Sequence, residues 1–192
     1  MRGNRHENMT TYVSILRGIN VGGHRMIKMD ALRQLFAKLG FANPRTYIQS
    51  GNVVFQGEKT NPQELENKIA DAIANTFGFA VPVIVKELEE FKRIVENNPF
   101  AGDNTKDASH LHITFLSGQP DPEKFHKIKE GHCQAHEFHL IGQSIYLYCP
   151  NGYSKSKLTN GFLENNLGVT TTTRNWKTAN ELITLAGQVA NA

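Results

Sequence analysis

Between a β-rich run at residues 11–16 and an amphipathic run at residues 29–39 lies Arg17-Gly18-Ile19-Asn20-Val21-Gly22-Gly23-His24-Arg25-Met26-Ile27-Lys28. Its three glycines admit positive φ angles and let backbone N–H groups converge, while Arg17, Arg25 and Lys28 surround them with positive charge. Amides and cations together are suited to phosphate or carboxylate. The competing reading is a tight strand-to-helix connection in which glycine serves geometry alone. Gly18 and Gly23 have the separation of a P-loop, yet His24 and Arg25 stand where Lys and Ser/Thr belong. Without that hydroxyl the usual Mg²⁺ ligand is missing, so nucleotide hydrolysis by the Walker route is not expected.

A second segment, Thr171-Thr172-Thr173-Arg174-Asn175-Trp176, falls at a strand-to-helix junction, where the first N–H groups of a helix are open. Arg174 is able to grip an anion in bidentate fashion. The lone Trp176 either stacks on a flat ligand or anchors packing. Ser154-Lys155-Ser156-Lys157-Leu158 brings two more cations before a helix. Ser50-Gly51-Asn52 reads as a hairpin tip with the residues such turns demand. It is expected at the sheet end opposite the loop after the first strand, and Ser50 has no Gly-x-Ser-x-Gly context. His110 and His112 alternate on a strand, and His132, Cys133, His136 and His139 cluster in sequence. No Cys-x-x-Cys pair or His-Glu-x-x-His accompanies them, so no metal site is expected and no cofactor is assigned.

Charge sharpens the ligand class. Residues 1–45 hold eight Lys/Arg against two Asp/Glu, a net of +6, whereas residues 46–192 hold 13 against 16, a net of −3. The concentration around the glycine loop favours an anionic partner. A solvated basic helix face from Arg33 and Lys38 is the alternative for those two residues. Hydrophobic content of 39% with 20% charged residues describes an ordinary globular protein, and no apolar run is long enough for a membrane span. The polar N-terminus is no secretory signal, and two cysteines suit a reducing compartment, so a cytoplasmic location is expected.

These residues are carried by a pattern that occurs twice. Residues 11–16 form a strand, and 29–39 a helix with Met29, Leu32, Leu35, Phe36 and Leu39 on one face. Residues 45–49 and 53–56 form a hairpin. Asn61, Pro62 and Glu64 start a helix that Gly78 ends, and residues 81–85 make a strand that Pro82 confines to an edge. After a charged helix at 87–96 the order returns: strand 110–116, helix 121–130, hairpin 136–141 with 144–149, helix 158–167, strand 169–173, and a closing helix from Trp176 to about 188. This predicts an α+β protein of two tandem ferredoxin-like (α/β-plait, βαββαβ) subdomains plus a C-terminal helix. The boundaries are 1–10 as a disordered extension, 11–97, and 105–192. The repeat is one of element order rather than residue identity, and a single mixed sheet is the alternative. An RNA-recognition module shares this order, but Ser50-Gly51-Asn52-Val53-Val54-Phe55 lacks its leading basic residue and paired aromatics.

Arg17-Gly18-Ile19-Asn20-Val21-Gly22-Gly23, Tyr47-Ile48-Gln49-Ser50-Gly51-Asn52-Val53-Val54-Phe55, Ser156-Lys157-Leu158 and Thr173-Arg174-Asn175-Trp176-x-Thr178 together resemble the motifs of a bacterial family, domain of unknown function 1697. The resemblance spans about residues 10–185. It implies two α/β-plait subdomains and brings no activity, substrate, cofactor or catalytic role. The expected function is binding of a small anionic, phosphorylated or nucleotide-like ligand between the subdomains. Its candidate residues are Arg17, Gly18, Asn20, Gly22, Gly23, Arg25 and Lys28 with Arg174, Asn175 and Trp176. An adaptor with purely structural motifs is the second reading, and a weak nucleic-acid backbone binder the third.

Overall fold

The computed structural model describes residues 9–132 and 137–192. The expected disorder of the N-terminal extension therefore falls outside the described residues at 1–8, as do Cys133, His136 and the side chain of His132. The chain divides into two compact units: one runs to Lys92 and takes in Glu181–Ala192, the other is Arg93–Asn180. The closing helix thus contributes to both, where sequence order alone placed it with the second.

Unit one contains β1 (Met9–Leu16), α1 (Met29–Lys38), β2 (Ala42–Tyr47), β3 (Asn52–Glu58), α2 (Pro62–Phe77) and β4 (Val83–Glu87), followed by α3 (Leu88–Glu96), which continues into the second unit. Unit two contains β5 (Leu111–Leu116), α4 (Pro122–His132), β6 (Glu137–Ile141), β7 (Ser144–Tyr148), α5 (Asn160–Leu167) and β8 (Thr171–Asn175), which leads into α6 (Trp176–Ala190). Each unit has one four-stranded antiparallel sheet, ordered β2-β3-β1-β4 and β6-β7-β5-β8. The protein is therefore α+β, with Pro82 just before an edge strand as expected.

Burial follows the two periodicities. In unit one Tyr12, Leu16, Val53, Phe55 and Val85 share a core with Leu32 and Phe36 of α1 and Ile69 and Ile73 of α2. Phe41 and Phe55 sit 4.4 Å apart and Tyr12 stacks on Phe55 at 5.5 Å, so this core is knitted by aromatic contact. Unit two buries Leu116, Phe125, Phe138, Leu147, Leu163 and Leu167 together.

Local signals set the ends. Asn61 accepts the Gln63 N–H at 3.0 Å, and Gly78 closes α2 in the left-handed conformation with φ +80°. Glu64 takes the Thr60 hydroxyl at 2.8 Å instead of completing a capping box. Helix α5 begins at Asn160 rather than 158, because the Thr159 hydroxyl accepts the Phe162 N–H and makes Thr159 the cap. Leu158 is left as a core residue.

The two units repeat at the level of hydrogen bonds. Leu16 N–H donates to the Gly51 carbonyl at 2.8 Å, and Leu116 N–H to that of Gln143 at 3.0 Å. Arg17 N–H meets the Pro82 carbonyl as Ser117 N–H meets that of Thr170. A helix carboxylate then holds an edge-strand amide in each: Glu66 accepts Val85 N–H at 2.9 Å, and Glu164 accepts Thr171 N–H at 2.8 Å. Both devices occupy a donor that an edge strand would otherwise offer to another chain.

Candidate functional site

The loop between β1 and α1 is a small built object. Val21 pairs with His24 as an isolated bridge, with His24 N–H donating to the Val21 carbonyl at 3.0 Å. Gly22 and Gly23 are the central residues of that turn, with φ of +58° and +77°. Two successive positive φ values match the tight turn class that glycine pairs serve best. Asn20 N–H donates to the Arg25 carbonyl at 3.2 Å and closes the next rung. Asn20 and Arg25 themselves hold φ of +55° and +49°.

Asn20 fixes this object to the rest of unit one. Its side-chain N–H groups donate to the carbonyls of Ile27 at 3.0 Å and Gln49 at 2.9 Å, and its oxygen accepts Ile27 N–H at 2.8 Å. The side chain of Asn20 is thereby engaged with backbone. Ile19 and Ile27 are buried and anchor the two ends of the loop.

The link to Gln49 corrects one expectation. The hairpin tip at Ser50-Gly51-Asn52 does not lie at the far end of the sheet. Antiparallel pairing sets Ile15 against Asn52, so the start of β3 meets the end of β1. A Cβ on Gly51 would stand 2.7 Å from Leu16 Cβ and 2.9 Å from Ile19 Cδ1, so only glycine permits the approach. Asn52, fully buried, donates to the Tyr47 carbonyl at 3.2 Å and to Ser50 Oγ at 2.9 Å.

The remaining predicted residues of the loop are placed as follows. Arg17 is half-buried at the strand end, with its backbone N–H on Pro82. Gly18, Gly22 and Gly23 are exposed, and among the described residues their N–H groups have no protein acceptor. The Arg25 guanidinium folds back to within 3.6 Å of where a Gly18 Cβ would stand. Arg25 and Lys28 are exposed, and neither forms an ion pair among the described residues. Asp30, the nearest carboxylate along the chain, is engaged by Arg33. The charges of Arg25 and Lys28 are therefore not neutralised by an ion pair among the described residues.

Arg174, Asn175 and Trp176 belong to unit two. The Arg174 guanidinium donates to Thr172 Oγ1 and to the Thr173 carbonyl, both at 2.9 Å, and burial lowers its pKa to about 10, with Tyr153 opposing. Asn175 accepts the Thr178 N–H at 2.7 Å and is the cap of α6. Trp176 is half-buried in the first turn of that helix.

Sequence reasoning missed a polar network on the same strand. Thr173 Oγ1 meets Thr114 Oγ1 at 2.7 Å, receives the Tyr153 hydroxyl at 3.1 Å and donates to Asn160 Oδ1 at 2.8 Å. His112 stacks on Tyr153 with centroids 5.0 Å apart, and burial lowers its pKa. Ser156 is buried against this region and accepts Leu158 N–H. These groups satisfy one another. A broad open groove of about 1340 Å³ lies at the other end of the unit-one sheet, lined by Phe41, Asn43, Gln56, Lys59, Thr60 and Lys68 among others. None of the sequence-predicted residues lines it.

Among the described residues no three His, Cys, Asp or Glu side chains converge on a point, and no helix is long and apolar enough to cross a membrane.

Two α+β units with antiparallel sheets and a cationic glycine loop define the class. The chain belongs to DUF1697, a protein family of unknown function, whose profile matches residues 9–146. The motif segments at 156–158 and 173–178 lie beyond that match. The fold is similar to that of conserved bacterial protein SP0830 from Streptococcus pneumoniae, with a TM-score of 0.71, 23% identity, and coverage of 93% of this chain and 99% of that one. No curated protein matches the sequence.

Proposed function

We propose that the β1–α1 loop of unit one is an anion-binding element, with the open amides of Gly18, Gly22 and Gly23 and the side chains of Arg25 and Lys28 as its contacts. One observation carries this reading. The loop is pinned by three hydrogen bonds to a single asparagine side chain, yet among the described residues the amides of Gly18, Gly22 and Gly23 have no protein acceptor and Arg25 and Lys28 form no ion pair. Preorganised donors around uncompensated charge favour phosphate or carboxylate. Asn20 supports the loop from behind. Arg174 and Asn175 stand outside this reading, since the first is bonded to Thr172 and Thr173 and the second caps a helix. We read the protein as a cytoplasmic bacterial binding protein whose two units are ferredoxin-like plaits, an assignment that their βαββαβ order and strand arrangement support.

Titration of ¹⁵N-labelled protein with inorganic phosphate tests the proposal. Amide shifts at Gly22 and Gly23 are expected to move and saturate, and Arg25→Ala with Lys28→Ala to abolish saturation without unfolding the protein. Shifts that are absent, or spread evenly over the surface, would overturn it.

A further inference from the structure

The loop carries more than charge. Among the described residues the large hydrophobic side chains that stand exposed are Val21 at 66%, Met26 at 61%, Ile48 at 51% and Ile141 at 44%. Three of these four belong to one construction. Val21 and Met26 lie on the β1–α1 loop, Ile48 lies on the β2–β3 tip, and Asn20 bonds the two segments together through Ile27 and Gln49. Scattered exposed aliphatics need no explanation, but a group held on one pinned edge does.

Ile48 is the sharpest feature. It holds φ +48°, a conformation that β-branched residues avoid. Its neighbours explain how it stays there: the Tyr47 carbonyl is held by the buried Asn52 amide and the Gln49 carbonyl by Asn20. The chain is clamped on both sides of a strained residue whose side chain is half exposed. Glycine or asparagine would satisfy the backbone better, so the turn alone does not call for isoleucine.

From these observations, and resting on the anion-binding reading above, we infer that this edge is a docking surface for an acidic segment of another protein in which aliphatic residues alternate with carboxylates. His24, Arg25 and Lys28 meet the carboxylates, and Val21, Met26 and Ile48 meet the aliphatic side chains. Charge complementarity fixes the sign of the partner, since no carboxylate occurs between residues 17 and 28. Exposure fixes its size: residues 21–26 are all exposed, whereas a small metabolite is held in a concavity that buries most of it. The aliphatic tips argue against nucleic acid, which is gripped by stacking rings and a larger basic field. Rigid display argues against a lipid surface, because a fluid bilayer gains nothing from side chains clamped in position. An apolar centre with a charged rim is how protein interfaces are built, and preorganised anchors raise affinity by lowering the ordering cost.

Four probes decide the matter, three read by fluorescence anisotropy and the fourth by co-flotation. These are a labelled acidic peptide with leucine at alternate positions, a polyglutamate of equal net charge, a single-stranded oligonucleotide of equal charge, and phosphatidylglycerol vesicles read by co-flotation. The leucine-bearing peptide is expected to bind at least about tenfold more tightly than polyglutamate, the scale of one good anchor. Ile48→Gly and Met26→Gln are each expected to remove most of that advantage while leaving the phosphate-induced shifts of Gly22 and Gly23 in place. Ile48→Gly suits the positive φ, so loss of fold does not confuse the result. Equal binding of polyglutamate, preference for the oligonucleotide or the vesicles, or an inert Ile48→Gly would each overturn the inference. If the phosphate shifts persist in those cases, the anion-binding reading survives alone; if they are missing, both fail.

Discussion

Replacing Asn20 by alanine isolates the physical basis of the site. The substitution deletes the bonds to the Ile27 carbonyl, the Gln49 carbonyl and the Ile27 N–H, at 3.0, 2.9 and 2.8 Å. At about 1 kcal/mol net for each, these amount to about 3 kcal/mol. The Gln49 bond is exposed and water will replace part of it, which brings the sum to about 2 kcal/mol. Alanine at φ +55° adds about 1 kcal/mol that asparagine largely avoids. Asn20→Ala is therefore expected to destabilise unit one by about 3 kcal/mol, and Asn20→Gly, which relieves the backbone term, by about 2 kcal/mol. Urea denaturation followed by circular dichroism measures the loss. Hydrogen exchange at the Ile27 amide localises it, since that N–H donates to Asn20 in the native loop. A loss below about 0.5 kcal/mol, with Ile27 still protected, would refute the view of Asn20 as the strut of the loop. The remaining possibility would then be a direct role at the ligand.

Two further perturbations probe the frame around the loop. Gly51→Ala meets both a left-handed backbone and a side chain 2.7 Å away, so strain and overpacking together are expected to cost about 2–4 kcal/mol. Gly78→Ala, at φ +80° with nothing within 4 Å, is expected to cost only about 1 kcal/mol, and equal thermal shifts for the two would show that the tip does not press on β1. Glu66 is buried, and burial raises its pKa despite the Val85 N–H and Lys86. The folded chain thus holds that proton more tightly than the unfolded one, so the stability that Glu66 contributes is present below about pH 4.5 and is lost as pH rises through the folded value. Glu66→Gln keeps an acceptor for Val85 N–H, so its stability relative to wild type is expected to rise with pH from that point upward. Parallel denaturation curves across pH 4–8 would contradict this.

Elements were legible wherever local chemistry specified them. Asn61, Pro62 and Gly78 fixed α2, the spacing of Leu32, Leu35 and Phe36 fixed α1, and Pro82 marked the edge beside β4. Differences arose at two ends. The local cap Thr159, which accepts the Phe162 N–H, makes α5 begin at Asn160 rather than Leu158, and β8 runs from Thr171 to Asn175 because its register is set by the distant β5, with Leu116 opposite Thr171. The repeated Glu66 and Glu164 contacts come from Leu65-Glu66-Asn67 and Leu163-Glu164-Asn165, at the same distance from the caps Asn61 and Thr159, and only the fold shows which strand amides the two carboxylates hold.

The chain by itself determined the composition of the loop: glycines for a turn with positive φ, cations without carboxylates, and isoleucines to root its ends. That much follows because dihedral freedom, charge and side-chain polarity are properties of single residues. Tertiary structure alone decided that the loop meets the β2–β3 tip, that Asn20 is a strut, and that Val21, Met26 and Ile48 stand in solvent. Contact between segments 29 residues apart, as between Asn20 and Gln49, depends on antiparallel pairing of β1 with β3, and no local pattern encodes which ends of two strands will coincide.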